Sequence, residues 1–171
     1  MKLFWHYTGG PHMQSILRCG CVDVASSYVA PPEKPVAWFS ADQYWERTVR
    51  KIVPEIGMKD IGMQEMLRAG IKLYRIGVSP EAVPLNWTAI RKQSGMPTQM
   101  ANHLVAAAKD LGANPFDWRG SFLPVAESQW RAIEVFHDGW RDYSSQLDEA
   151  MCAGDENPRC KWPIPEPATK K

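Results

Sequence analysis

From Leu3 to Thr8 the chain alternates in the manner of a strand, with Leu3, Trp5 and Tyr7 on one face and Phe4, His6 and Thr8 on the other. Gly9, Gly10 and Pro11 break that run. The segment "GGPHMQSILRCG" then reads as a turn and a short helix with Met13, Ile16 and Leu17 on one face and Gly20 as its stop. Prolines 31, 32 and 35 make "VDVASSYVAPPEKP" a loop. A strand "VAWFSA" follows, and "DQYWERTVRKI" is expected to be a helix capped by Asp42. Part of "PEIGMKDIGMQEMLRAG" is helical by pattern.

In "IKLYRIGVS" the pattern predicts a strand with Ile71, Leu73, Arg75 and Gly77 on one side and Lys72, Tyr74, Ile76 and Val78 on the other. The second side, richer in large apolar groups, is expected to face inward. "NWTAIRKQSG" reads as a short helix. "PTQMANHLVAAAKDLG" reads as a longer one, opened by Thr98, closed by Gly112 and burying Met100, Leu104, Ala107 and Leu111. Two closely spaced strands, "RGSFLPVAE" and "WRAIEVF", precede a last helix, "SSQLDEAMCA". At least five short strands interspersed with helices, the last of them adjacent in sequence, point to an α+β fold rather than a doubly wound parallel sheet.

A length of 171 residues suits one domain, expected over residues 1–152, with a polar, proline-rich tail over 153–171. Hydrophobic residues at 44% supply a core, and a net charge of +1 gives no general attraction for polyanions. The N-terminal stretch does not follow a signal-peptide pattern, and no run reaches membrane-spanning length, so a cytoplasmic protein without membrane contact is expected. Cys19, Cys21, Cys152 and Cys160 fit no zinc-site spacing, which makes idle thiols the expectation. Neither GxGxxG nor a P-loop occurs.

Some polar residues sit awkwardly in their strands. His6 and Thr8 share a face at the end of the first strand, Ser40 ends the second, and Glu134 lies between Ile133 and Val135. A carboxylate in an apolar strand needs partners, an exposed edge or a polar site. Taken in order, His6-x-Thr8, "SILRCG", "AWFSADQYWERT" and a late-strand Glu resemble the ADP-ribosyltransferase superfamily. The branch is that of poly(ADP-ribose) polymerases, DarT-type DNA ADP-ribosyltransferases and RNA 2′-phosphotransferases. The "WFS....W..T" pattern is also similar to that of bacterial and phage proteins with no activity to carry over.

The resemblance covers residues 5 to 50 and, more weakly, 118 to 137. It implies a split, mainly antiparallel sheet with flanking helices, whose cleft holds NAD⁺. His6 would bond a ribose hydroxyl, with Tyr7 and Thr8 beside it at the strand end. One of Tyr28, Trp38 and Tyr44 would stack on the nicotinamide, Ser40 would occupy the polar position after the aromatic pair, and Glu134 would stabilise the ribosyl cation. Glu127 is the rival carboxylate. Arg131 is open between an ion pair with either glutamate and a phosphate contact. Among the basic residues Lys2, Arg18, Lys34, Arg47, Arg50 and Lys51, Arg47 and Arg50 are the better candidates for a pyrophosphate. The function implied is transfer of ADP-ribose from NAD⁺ to an unidentified protein or nucleic acid. NAD⁺ hydrolysis, RNA 2′-phosphate transfer and a catalytically silent binding module are the alternatives.

Overall fold

The computed structural model describes residues 2–27, 29–53 and 58–143. In chain order the elements are β1 (Phe4–Gly9), α1 (Gly10–Cys19), β2 (Cys21–Val22), β3 (Ala37–Ser40), β4 (Lys51–Val53), β5 (Met58–Ile61) and α2 (Met63–Arg68). There follow β6 (Leu73–Val78), β7 (Leu85–Asn86), α3 (Trp87–Gln93), α4 (Thr98–Asp110), β8 (Trp118–Ser121), β9 (Val125–Ala126), β10 (Trp130–Phe136) and β11 (Trp140–Asp142). Seven strands form the main sheet in the order β11-β10-β6-β1-β3-β8-β7. Its pairings are antiparallel, and the architecture is α+β.

Register fixes which side chains share a face. His6 lies opposite Ile76, and Ile76 opposite Ile133, while the next row runs Tyr7, Arg75, Glu134, Asp142. Because lateral partners point the same way, the two rows point to opposite faces. On the His6 side, Phe4, Tyr74, Ile76, Val78 and Val135 pack with Met13 of α1. On the Tyr7 side, Trp5, Tyr7 and Leu73 pack with Trp45, Met63 and Met66, the last two from α2. A third cluster joins Trp118 of β8 to Trp87 and Ile90 of α3 and to Ala101 and Ala108 of α4.

All six residues of β6 are buried, which corrects the expectation of one inward face. The strand lies between β1 and β10 with cover on both sides, so the Arg75 face is also interior. Gly77 belongs to this arrangement: a Cβ there would stand 2.7 Å from the Trp5 ring, which crosses the strand at that point.

Residues 42–50 form no helix. Asp42 Oδ1 accepts from the N–H groups of Tyr44 at 2.8 Å and Trp45 at 3.2 Å, as a cap would, but the chain does not propagate. The consecutive residues Trp45 and Glu46 are both buried, one in the aromatic cluster and the other bonded to Ser40 and Thr48. Tertiary contacts therefore override local propensity.

Helix α4 is also rotated from expectation. Ala101 and Ala108 face the core, whereas Met100 and Ala107 are exposed. The small alanines let the helix approach the tryptophan cluster, which shifts the Leu104, Ala107 and Leu111 edge toward a cavity. The segment expected as one strand over 119–127 divides into β8 and β9, and β9 pairs with β2 in a separate sheet. Gly20 ends α1 as expected, in the left-handed conformation at φ 65°. The "SSQLDEAMCA" helix, the 153–171 tail, Tyr28, Cys152 and Cys160 lie outside the described residues.

Candidate functional site

The strands β1 and β3 are registered through one pair, Trp5 opposite Ser40. Past it, His6 Nδ1 bonds the Trp38 carbonyl oxygen across to β3 at 2.9 Å. A carbonyl oxygen only accepts, so Nδ1 carries the proton and Nε2 keeps its lone pair. Burial lowers the His6 pKa from 6.5 to about 4, opposed by the Trp38 bond and reinforced by the charges of Lys51 and His12. At neutral pH His6 is a neutral ring with a fixed tautomer, tilted against Phe39 at 5.6 Å.

Two cavities flank this strand end, and His6 and Tyr7 line both. The first, of about 480 Å³, has aromatic walls from Trp5, Trp38 and Trp118 and an aliphatic wall from Leu104, Ala107 and Leu111. Its polar groups include Ser40, Glu46, Thr48, Arg50 and Asp60. Concave apolar walls with a few placed polar groups are the usual form of a small-molecule site. Within it, Glu46 accepts from Ser40 Oγ at 2.7 Å, from Thr48 Oγ1 at 2.8 Å and from the Thr48 N–H at 3.2 Å. Arg50 is committed to Asp60, with its Nε 2.7 Å from Oδ1.

The second cavity, of about 380 Å³, lies on the α1 side and includes His6, Thr8, His12, Ser15, Asp23 and Lys51 in its lining. Burial lowers the Lys51 pKa, and burial together with the Lys51 charge lowers that of His12.

Other expected site residues are placed elsewhere. Glu134 stands on the opposite face of the sheet from His6, so the structure does not bring these two together. Its carboxylate accepts from Arg75 Nε at 2.7 Å, and Arg75 is held between the rings of Trp5 and Trp140, 3.9 and 4.5 Å from their centroids. The partner of Glu134 is therefore Arg75, whereas Arg131 is exposed. Glu127 is exposed in a short turn beside Gly20 and lines neither cavity.

The Tyr7 ring packs on Trp45 and Trp140, and its hydroxyl donates to the Asp42 carbonyl at 2.6 Å. Burial pushes the Tyr7 pKa up. Tyr44 is exposed and meets Phe136 edge-on, outside both cavities. Arg47 is exposed, with its guanidinium close to Gly112. Trp38 and Ser40 line the first cavity and Thr8 the second.

Sequence reasoning missed Glu46, His12 and Arg75. Glu46 had a signal in "WERT", where a Glu and a Thr two residues apart follow an aromatic strand. Arg75 had one as the lone charge inside "LYRIGV". No family model, curated protein or solved structure matches the chain.

Proposed function

We propose that the first cavity binds NAD⁺ and that the protein is an ADP-ribosyltransferase acting on a macromolecular acceptor. One observation carries the reading. His6, neutral and locked by the Trp38 carbonyl, stands where β1 and β3 part, on a cavity that also contains Trp38 and Ser40. The parting of the two strands fits the split sheet that the sequence resemblance implies. A fixed Nε2 lone pair accepts from a ribose hydroxyl, and an aromatic wall suits a flat cationic ring.

In the transfer, the bond between nicotinamide nitrogen and the ribose anomeric carbon breaks. Neutral nicotinamide leaves with the electron pair, and an acceptor nucleophile bonds to that carbon and gives up its proton. A fixed carboxylate stabilises the intervening cation more than the ground state. Glu46 is the buried carboxylate that the cavity offers, and it is the candidate to take that proton.

A second reading, a binding module that holds a ligand or partner without transfer, draws support from Glu134. That residue is bound to Arg75 on the far face. Calorimetric titration of NAD⁺ into the wild type and into His6→Ala, with circular dichroism to establish folding, tests the site. Binding by the wild type that falls roughly tenfold or more in the variant is expected. A folded wild type that does not bind NAD⁺ removes the reading. NAD⁺ binding without NAD⁺ consumption or an ADP-ribose adduct in co-expressed protein and nucleic acid favours the binding module.

A further inference from the structure

The second cavity gathers basic side chains from three elements: His6 from β1, His12 from the first turn of α1 and Lys51 from β4. Asp23 is the acid among its lining residues, and its Oδ1 accepts from the neighbouring N–H of Val24 at 2.7 Å. Among the described residues the Lys51 ammonium has no hydrogen bond or ion pair, though the residue is half-buried and lines the cavity. Holding an ammonium partly out of water without a counter-charge costs stability. The buried Arg75, on the other face of the sheet, has the Glu134 carboxylate 2.7 Å from its Nε, so this fold pairs an enclosed cation elsewhere.

We propose that the second cavity is an anion site that takes a phosphate or pyrophosphate group between Lys51 and His12, with the hydroxyls of Thr8 and Ser15 in its wall. A multiply charged phosphate anion suits the lining, because the lysine ammonium, an imidazole N–H of His12 and the hydroxyls all donate to oxygen. The first turn of α1 contains no acid to compete, and its N-cap residue, Gly9, adds no side chain. This inference does not depend on the NAD⁺ reading of the first cavity, although His6 and Tyr7 line both cavities.

Inorganic pyrophosphate titrated calorimetrically into wild type, Lys51→Met, His12→Asn and, as a control, Lys92→Met at an exposed lysine outside both cavities tests the site, with thermal unfolding of each protein. The expected result is binding to the wild type that weakens roughly 10- to 100-fold in Lys51→Met, less in His12→Asn and not in Lys92→Met. Lys51→Met is expected to unfold at the same or a higher temperature than the wild type, since an unpaired half-buried charge is replaced by an apolar chain. A lysine with a purely structural role would lower it instead.

Pyrophosphate that competes with NAD⁺ assigns the bound group to the dinucleotide, and independent binding of the two assigns it to a separate phosphate ligand. Either result supports the site. Pyrophosphate binding unaffected by Lys51→Met overturns it, as does a folded wild type that binds more weakly than about 10 mM. NAD⁺ binding with no pyrophosphate site removes this inference and leaves the proposed function standing, and the converse also holds.

Discussion

Arg75 and Lys51 are both drawn into the protein, and their surroundings differ in nearly every respect. Arg75 bonds Glu134, donates to the Gln43 carbonyl at 2.5 Å and lies between two tryptophan rings. Lys51 faces a cavity with two imidazoles near it and no counter-charge on it among the described residues. In the first region the guanidinium finds its partners within the chain, even though the buried Nε1 of Trp45 in the same cluster bonds nothing, so Arg75 acts as a structural joint between β6, β10 and the 42–45 turn. The second region leaves donors open. The contrast teaches that burial of a charge does not mark a site by itself; burial without a partner does.

The largest expected effect comes from breaking the closed region. With Arg75 and Glu134 side chains only 9% and 17% exposed, Glu134→Gln leaves an enclosed guanidinium without its counter-charge and should cost about 3–5 kcal/mol in urea unfolding. The matched double variant Arg75→Met, Glu134→Leu should recover most of that loss, because a buried ion pair replaced by apolar groups of similar size is close to neutral. It should also bind NAD⁺ as the wild type does, since His6 faces the other way. A folded double variant that no longer binds NAD⁺ would return Glu134 to the site and dissolve the comparison.

Next comes the pH dependence of His6, which belongs to the open region. The folded protein holds the ring neutral down to about pH 4, while an unfolded chain takes up that proton near 6.5. Between these values the unfolded state binds more protons, so stability rises with pH. The contribution is fully present above pH 6.5 and is lost as pH falls toward 4, amounting to about 3 kcal/mol. Burial and Lys51 displace His12 in the same direction, so the term is isolated by comparison with His6→Gln. The stability gap between the two proteins should change between pH 7 and pH 4; parallel profiles would show that His6 titrates normally.

The two regions were unequally legible in the sequence. Strand β1, its glycine break, the α1 stop at Gly20 and strands β3, β6 and β10 followed from alternation and turn residues, which are local signals. The partnership of Arg75 with Glu134 spans 59 positions and depends on β10 pairing with β6, so a reading of single strands placed Glu134 in a site and Arg75 outside the core. His6 was legible as an unusual strand residue, yet its fixed tautomer depends on a carbonyl 32 residues away. Lys51 stands in the sequence as one of six basic residues open to a pyrophosphate, behind Arg47 and Arg50, because nothing local distinguishes a lysine that faces a cavity from one that faces water.

A smaller effect is expected at Gly77, where β6 passes under Trp5. The Cβ of Gly77→Ala would meet the ring at 2.7 and 2.9 Å and Leu3 at 3.0 Å, so the indole must shift and loosen its contact with Arg75. Overpacking of this kind costs about 1–3 kcal/mol. The loss should shrink in the Arg75→Met, Glu134→Leu background, where no guanidinium depends on the position of the ring. A full and additive loss in that background would show that the clash is with Leu3 and that the Trp5 stack on Arg75 carries little energy.

The smallest effect tests the turn between the two regions. Asp42 caps the N–H groups of Tyr44 and Trp45, and from that turn Trp45 enters the closed aromatic cluster while Glu46 enters the open cavity. Asp42→Ala removes the side-chain acceptor but keeps the Asp42 carbonyl that receives the Tyr7 hydroxyl, so the expected cost is about 1 kcal/mol. Asp42→Asn retains an acceptor and should lose less. If the tertiary contacts of Trp45 and Glu46 hold the turn, as the failure of a helix to propagate here indicates, Asp42→Ala leaves NAD⁺ affinity unchanged. A variant that remains folded but loses that affinity would instead make the cap the element that positions Glu46, and would tie the open region to the closed one through a single turn.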